Sequence, residues 1–245
     1  MELKQTELSE IISRAENGVT RPFYCRCEDG FPYYVKGRDA GFESLCNETV
    51  AGLIASDWGL PIPEFKLIDV PENLIQYSTR SDRNDLGVGL AWGIQEVPNT
   101  INYSVQCRKE IPDDLSMKIL LFDWFVRNED RSQTNPNLLW NALKKELAVI
   151  DHNIAFDCSF RAGEFWSSHV FRDEKEKIFD QSVRERYENL LKECIVKIDS
   201  YFSVLPEEWK AGFAFDAYRE HVEICLRAPW EHPGIFWSGE NGIRL

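Results

Sequence analysis

The stretch NEDRSQTNPNLLW occupies residues 128–140 and is followed, after a polar turn, by VIDHN at residues 149–153. Their apolar parts predict two short strands that pair as a hairpin. Because the two strands of a hairpin lie side by side, this pairing would bring Asp130 and Asp151 to one edge of the sheet. The segment therefore predicts a carboxylate site at that edge.

The residues of this edge suit phosphoryl transfer, which needs a carboxylate to orient the acceptor hydroxyl and oxygen ligands for Mg²⁺. Asp130 is the candidate catalytic base. Asn135 and Asp151 are the candidate metal ligands. Asn137 is close enough along the chain to replace Asn135 in that role, and spacing does not decide between them.

A second set of charged residues lies upstream. Two runs of β-forming residues flank an Asp-Gly turn and predict a hairpin whose second strand ends at Lys36. The helix that follows carries Glu48. Strand lysines and helix glutamates pair in kinases, where the lysine contacts the nucleotide phosphates. Lys36 is thus the candidate phosphate contact, and Glu48 is the group that would hold its ammonium in place.

The remaining pattern divides the chain into a sheet-rich part and a helical part. The predicted strands are residues 22–27, 31–36, 62–70, 90–97, 137–140 and 147–150, with a loop over 78–89. The predicted helices are residues 5–16, 42–58, 114–127 with Asp113 or Asp114 as its cap, 172–202, and 206–227 entered through Pro206. We therefore expect an α+β fold with a β-rich N-lobe at residues 1–97 and a mainly helical C-lobe at 98–245, which together form one domain.

Two segments are candidates for nucleotide contacts. Between the lobes, Gln95, Glu96 and Val97 could receive adenine through their backbone groups; the alternative is an ordinary strand end. The turn that contains Gly18 could cover phosphates with its backbone N–H groups. The alternative for this turn is a simple connection between two elements.

Composition narrows the class of partners and the cellular location. The formal net charge of −13 disfavours direct binding to nucleic acid. No segment has the roughly 18 apolar residues needed to cross a bilayer, so no membrane contact is expected. Seven scattered cysteines do not form a disulfide framework and favour the cytoplasm.

These motifs resemble the HipA-like kinases and, more distantly, the phosphoinositide kinases. The resemblance is carried by Asp130-Arg131 with Asn135 after it, by the later Asp151, and upstream by Asn47-Glu48 and the segment GLPIP at residues 59–63. It implies a two-lobed protein-kinase-like fold, ATP with Mg²⁺, and phosphoryl transfer to a serine or threonine hydroxyl of a protein substrate. It also implies an antitoxin protein as a partner, since such kinases often act in toxin–antitoxin systems.

Two other functions are compatible with the same residues. Ser132 stands where relatives often place histidine, so a pseudokinase that binds nucleotide without transferring phosphate is one alternative. A metal-dependent phosphohydrolase is the other, because Asp130, Asn135, Asp151 and His152 are also acceptable ligands for Mg²⁺ or Mn²⁺. The hydrolase leaves Lys36 and Glu48 without a role.

Overall fold

The structure, a computed structural model, describes residues 2–16 and 20–239. Its N-terminal strands are β1 (Gln5–Arg14), β2 (Phe23–Cys27), β3 (Pro32–Lys36), β4 (Phe65–Val70) and β5 (Gly89–Gln95). Within the described residues these strands close into a barrel in the order β1-β2-β3-β5-β4.

The β2–β3 hairpin confirms its prediction. The strands pair antiparallel, and Gly30 of the Asp-Gly turn has a φ of 84°. Alternation places Cys25 and Cys27 on one buried face, where they pack in the barrel core. The C-x-C motif is therefore part of the core.

The prediction of a helix over residues 5–16 is wrong, because this segment forms β1. Its neighbours are far away in sequence: β1 pairs antiparallel with β2 and parallel with β4, where Gln5 lies opposite Leu67. Leu8 is buried in the barrel. These long-range backbone hydrogen bonds outweigh the weak helical spacing of Leu8, Ile11 and Ile12.

The helix α1 (Phe42–Asp57) confirms the prediction over residues 42–58. The segment after β4, however, is more ordered than predicted, since it contains α2 (Glu72–Tyr77) and α3 (Arg83–Leu86). The end of α3 approaches the strand that carries Lys36: a Cβ on Gly37 would lie 2.1 Å from the carbonyl oxygen of Leu86. Only glycine fits at residue 37.

The C-terminal part is mainly helical, as predicted. It contains a small sheet of β6 (Ile101–Asn102), β7 (Leu138–Asn141) and β8 (Glu146–Val149), in the order β6-β7-β8. Its helices are α4 (Asp113–Phe125), α5 (Ala162–Ser168), α6 (Lys175–Ile178), α7 (Gln181–Ser203), α8 (Glu207–Lys210), α9 (Phe215–Glu231) and α10 (Pro233–Phe236). Short 3-10 turns lie at Arg38–Ala40, Val105–Glu110 and Arg172–Glu174.

Three helix predictions need correction. Pro112 occupies the N-cap of α4, and neither Asp113 nor Asp114 caps it. The segment 172–202 breaks before α7, where Asp180 caps the new helix by accepting from the Ser182 N–H. The segment 206–227 breaks between α8 and α9, and Pro206 is the N-cap of α8.

A large aromatic core joins α1 to the helical part. Trp58, just after α1, stacks on Phe125 of α4 and donates its indole N–H to Cys194 of α7 at 3.1 Å. The molecule thus has the expected α+β architecture with a β-rich N-lobe and a helical C-lobe. The lobe boundary at residue 97 stays a prediction. None of the described helices has the length and apolar character to cross a membrane.

Candidate active site

Lys36 lies at the end of β3 with only 6% of its surface exposed. Its ammonium donates to Glu48 Oε1 at 2.5 Å and to Asp151 Oδ1 at 2.7 Å. Three of the predicted site residues, from β3, α1 and the segment after β8, therefore meet at one point.

Glu48 also fixes the loop that contains Asp151. This carboxylate is fully buried in α1, and its second oxygen accepts the backbone N–H of His152 at 3.0 Å. Asp151 itself has a φ of 61°, in the left-handed region. One buried carboxylate thus connects α1, the strand lysine and the left-handed turn at Asp151.

The charges of this cluster shift its pKa values. Burial lowers the pKa of Lys36, but the carboxylates of Glu48 and Asp151 outweigh burial and hold that pKa above its usual value. Burial raises the pKa of Asp151, but the Lys36 ammonium outweighs it and the net shift is downward. Burial raises the pKa of Glu48 to about 7 against the opposing effect of Lys36. Lys36 and Asp151 therefore stay charged at neutral pH, while Glu48 titrates near it.

Asp130 lies in the loop between α4 and β7. Its Oδ2 accepts the amide N–H groups of Asn135 at 3.0 Å and of Asn137 at 2.8 Å. Both asparagines therefore turn their nitrogen toward Asp130. This leaves the Oδ1 atoms of both amides for another partner.

Beneath this loop is a polar network that the sequence analysis missed. Asp123 of α4 is fully buried and accepts from Arg131 Nε at 2.7 Å and from Asn128 Nδ2 at 2.9 Å. The ring of His169, also buried, lies with Nε2 at 3.0 Å from Asp123 Oδ2. Burial raises the pKa of Asp123, but Arg131 and His169 outweigh it and lower that pKa. The sequence did contain one indication of this network: Asp123 lies inside the apolar run LLFDWF, residues 120–125, and a buried carboxylate requires hydrogen-bonding partners.

Arg131 connects the two halves of the site. Its Nη1 donates to the carbonyl of Asn137 at 2.6 Å and to the carbonyl of Ile150 at 3.0 Å. The first carbonyl belongs to the loop of Asp130, and the second directly precedes Asp151. A single guanidinium anchored on Asp123 thus sets the spacing between the two carboxylates.

A cavity of about 520 Å³ opens beside the cluster. Asp151 and Trp92 line it, together with the predicted hinge residues Gln95, Glu96 and Val97. Its volume is typical of ligand pockets. Gly18, the predicted phosphate-covering residue, lies outside the described residues, although Ala15, Glu16 and Pro22 on either side of it line the same cavity.

The donor set suits a hard cation. Among the described residues, no group of three or more His, Cys, Asp or Glu side chains could hold a metal. A metal here would rely on the amide oxygens of Asn135 or Asn137 with the second oxygen of Asp151, and oxygen-only donors are what Mg²⁺ prefers. Which asparagine contributes remains the open alternative of the sequence analysis.

His152 does not lie among these possible metal ligands. Its ring is 1% exposed and packs edge-on against Phe122, and burial lowers its pKa to about 3. A neutral imidazole enclosed in the core is not available as a ligand of a metal-dependent hydrolase.

Comparison with known proteins identifies the class. The family model described as HipA-like kinase matches residues 8–224, so the chain belongs to the HipA-like kinase family, a family of phosphotransferases. No curated protein matches.

Solved structures with similarity to the chain include two kinases. The proinflammatory kinase CtkA of Helicobacter pylori matches over 97% of this chain and 98% of its own, with 13% identity and a TM-score of 0.48. The FAT and kinase domain of CtTel1 matches over 88% of this chain and 21% of its own, with 14% identity and a TM-score of 0.32.

Proposed function

We propose that the protein is an ATP- and Mg²⁺-dependent kinase that transfers the γ-phosphate to a serine or threonine hydroxyl of another protein. The observation that carries this proposal is the buried ammonium of Lys36, shared between Glu48 and Asp151 beside the cavity. Burying an ammonium with two carboxylates carries a desolvation cost, so this cluster indicates a functional role rather than a gain in stability. An ammonium fixed beside a nucleotide-sized cavity serves to offset phosphate charge.

Lys36 would contact the nucleotide phosphates through its third ammonium hydrogen, since Glu48 and Asp151 account for two of its hydrogen bonds. Glu48 positions the lysine and touches no substrate. Its bond to the His152 N–H also holds the segment of Asp151 in register with the lysine. The backbone of Gln95, Glu96 and Val97 would bind adenine.

Asp130 would orient the acceptor hydroxyl. Two amide N–H groups hold its Oδ2, which leaves Oδ1 to accept the hydrogen bond of that hydroxyl. Asn135 and Asp151 would hold Mg²⁺, which when bound supplies positive charge to the phosphate oxygens. Arg131 keeps the two carboxylates at a fixed separation.

The same proposal covers the setting of the reaction. We propose a protein substrate, an antitoxin as a regulatory partner, and a cytoplasmic location, in keeping with the family and with the free thiols of all seven cysteines. Direct nucleic-acid binding is not part of the proposal, because the net charge of −13 opposes it.

The test is Mg²⁺-dependent transfer of labelled γ-phosphate from ATP to the protein itself and to a cell lysate. Asp130→Ala and Asp151→Ala are expected to abolish labelling while they remain folded. Asp173→Ala is the matched control, since its side chain is 93% exposed and lies outside the cavity.

Other outcomes would favour the alternatives. ATP binding without transfer would indicate the pseudokinase, in which Ser132 only stabilises its loop by accepting from the Asn135 N–H. Hydrolysis of a phosphodiester without any nucleotide requirement would indicate the phosphohydrolase.

A further inference from the structure

Another cavity, of about 490 Å³, is lined by the first turns of α1 and by residues 153–158. Its lining includes Glu43, Ser44 and Asn47 from α1, and Asn153, Phe156 and Asp157 from the segment after Asp151. We call these six residues the α1 pocket. It shares no lining residue with the cavity beside Lys36.

The α1 pocket has hydrogen-bond acceptors that lack donors. Asn47 is only 6% exposed, and its Nδ2 donates to the carbonyl of Asn153 at 3.0 Å. Within the described part of the chain, Asn47 Oδ1 and Asn153 Oδ1 are buried and have no partner, and the same holds for Ser44 Oγ. Buried polar atoms without partners are costly, so their presence around one cavity points to a ligand that supplies donors.

The charges around the pocket select a cation. Glu43 and Asp157 are both acidic, and none of its described lining residues is Lys or Arg. Glu43 lies in the first turn of α1, where its charge offsets the positive end of the helix dipole. The two carboxylates therefore place negative charge in the lining of the pocket.

We propose that the α1 pocket binds a guanidinium group. A guanidinium has five N–H donors and no acceptor, which matches a site with two amide oxygens, a hydroxyl and two carboxylates. The group belongs either to an arginine side chain of a partner protein or to a free small molecule.

Such a ligand would act on the site of the proposed function. Asn47 directly precedes Glu48 on α1, and Asn153 follows Asp151 by two residues. A guanidinium that bridges Asn47 and Asn153 would hold α1 against the segment of Asp151 and so favour the Lys36–Glu48–Asp151 cluster. By linkage, nucleotide and guanidinium would each strengthen the binding of the other. This regulatory step rests on the proposed function, whereas guanidinium binding does not.

Calorimetry on the full chain without nucleotide tests the site itself. N-acetyl-arginine amide is expected to bind with a Kd on the order of 1 mM, and the neutral N-acetyl-citrulline amide at least about tenfold more weakly. Glu43→Gln and Asp157→Asn should each weaken binding about threefold, as for a partly exposed ion pair. Glu72→Gln is the matched control, because Glu72 also lies in the first turn of a helix but outside the pocket.

A further titration, with free arginine, shows whether the guanidinium belongs to a partner protein or to a small molecule. Tighter binding of the blocked amide indicates a partner's side chain, and tighter binding of free arginine indicates a small molecule. Three results would show that the α1 pocket is not a guanidinium site. These are equal binding of the arginine and citrulline amides, tighter binding of inorganic phosphate, and no binding at millimolar concentration. If binding occurs and ATP leaves the Kd unchanged, the regulatory step is wrong. A protein that binds guanidinium but never transfers phosphate would count against the proposed function alone.

Discussion

Arg131 donates through Nε to Asp123 Oδ2 at 2.7 Å, and both side chains are completely excluded from solvent. Removing or shortening one partner of a buried ion pair leaves the other charge unpaired. The Arg131 guanidinium also donates to two backbone carbonyls, which a lysine ammonium cannot reach in the same geometry. The pair therefore affects both stability and the spacing of the site.

Arg131→Lys is expected to lower the free energy of unfolding by about 3 kcal/mol and to reduce phosphotransfer. Urea denaturation at neutral pH measures the first effect. Arg161→Lys is the control, since its side chain is 62% exposed and its ion pairs lie at the surface. Wild-type stability of the Arg131 variant would show that the buried network does not depend on the guanidinium.

Lys36→Met is expected to reduce kcat/KM for ATP at least about 100-fold, because a fixed cation is lost from the phosphate position. The chain offers a matched control in Lys66, a strand lysine of the same lobe that pairs with Asp29 at 2.8 Å and is nearly as buried. Lys66→Met should cost stability but not activity per folded molecule. Equal losses of activity in the two variants would remove Lys36 from the catalytic machinery.

The rate of phosphotransfer should depend on pH through Glu48. Its pKa is raised to about 7, so acidification protonates it and weakens its hold on Lys36. For a single group, the rate at pH 6 is expected to be about tenfold lower than at pH 8. In the Glu48→Gln variant, the residual rate should no longer change between pH 6 and pH 8. The Glu72→Gln variant should keep the roughly tenfold change of the wild type. A wild-type profile that is flat between pH 6 and 8 would contradict the assignment.

The choice between Asn135 and Asn137 can be made from Mg²⁺ dependence. Each amide donates to Asp130 Oδ2 at a similar distance, so Asn135→Ala and Asn137→Ala remove equivalent support from Asp130. Only the asparagine that binds the metal should have a further effect: its loss should raise the Mg²⁺ concentration for half-maximal activity by about tenfold. We expect that change for Asn135→Ala. The reverse result would assign the ligand to Asn137.

Because of His152, the free energy of unfolding should fall as the pH is lowered. Burial lowers its folded pKa to about 3, below the unfolded value, so its contribution is complete above the unfolded pKa and is lost as pH falls. The loss amounts to about 2 kcal/mol by pH 5 for this group alone. An NMR titration of the assigned imidazole should show no protonation in the folded state between pH 7 and 5. A midpoint near 6.5 would show that the ring is solvated.

The correctly predicted parts depend on local signals. The β2–β3 hairpin follows from an Asp-Gly turn between two β-rich runs, and α1 follows from its apolar spacing and the Gly59 stop. The strand lysine followed by a helix glutamate also predicted that Glu48 pairs with Lys36, and the structure contains this pair. The additional bond from Lys36 to Asp151 was not predicted.

The missed parts depend on contacts between distant residues. Nothing in the sequence around Leu8 indicates that this segment pairs with two other strands, β2 and β4. Likewise, His169 reaches Asp123 across 46 positions of the chain, and no local pattern connects them. The breaks before α7 and α9 also escaped prediction, since the apolar spacing continues across them.

The parallel pairing of β1 with β4 has a consequence for how the chain avoids self-association. A closed barrel has no free strand edge, and here closure depends on the register in which Gln5, Thr6 and Glu7 lie opposite Leu67, Ile68 and Asp69. If β1 detached, β2 and β4 would each expose an unpaired row of N–H and C=O groups to other molecules. By covering these edges, β1 protects the lobe that carries Lys36 from aggregation.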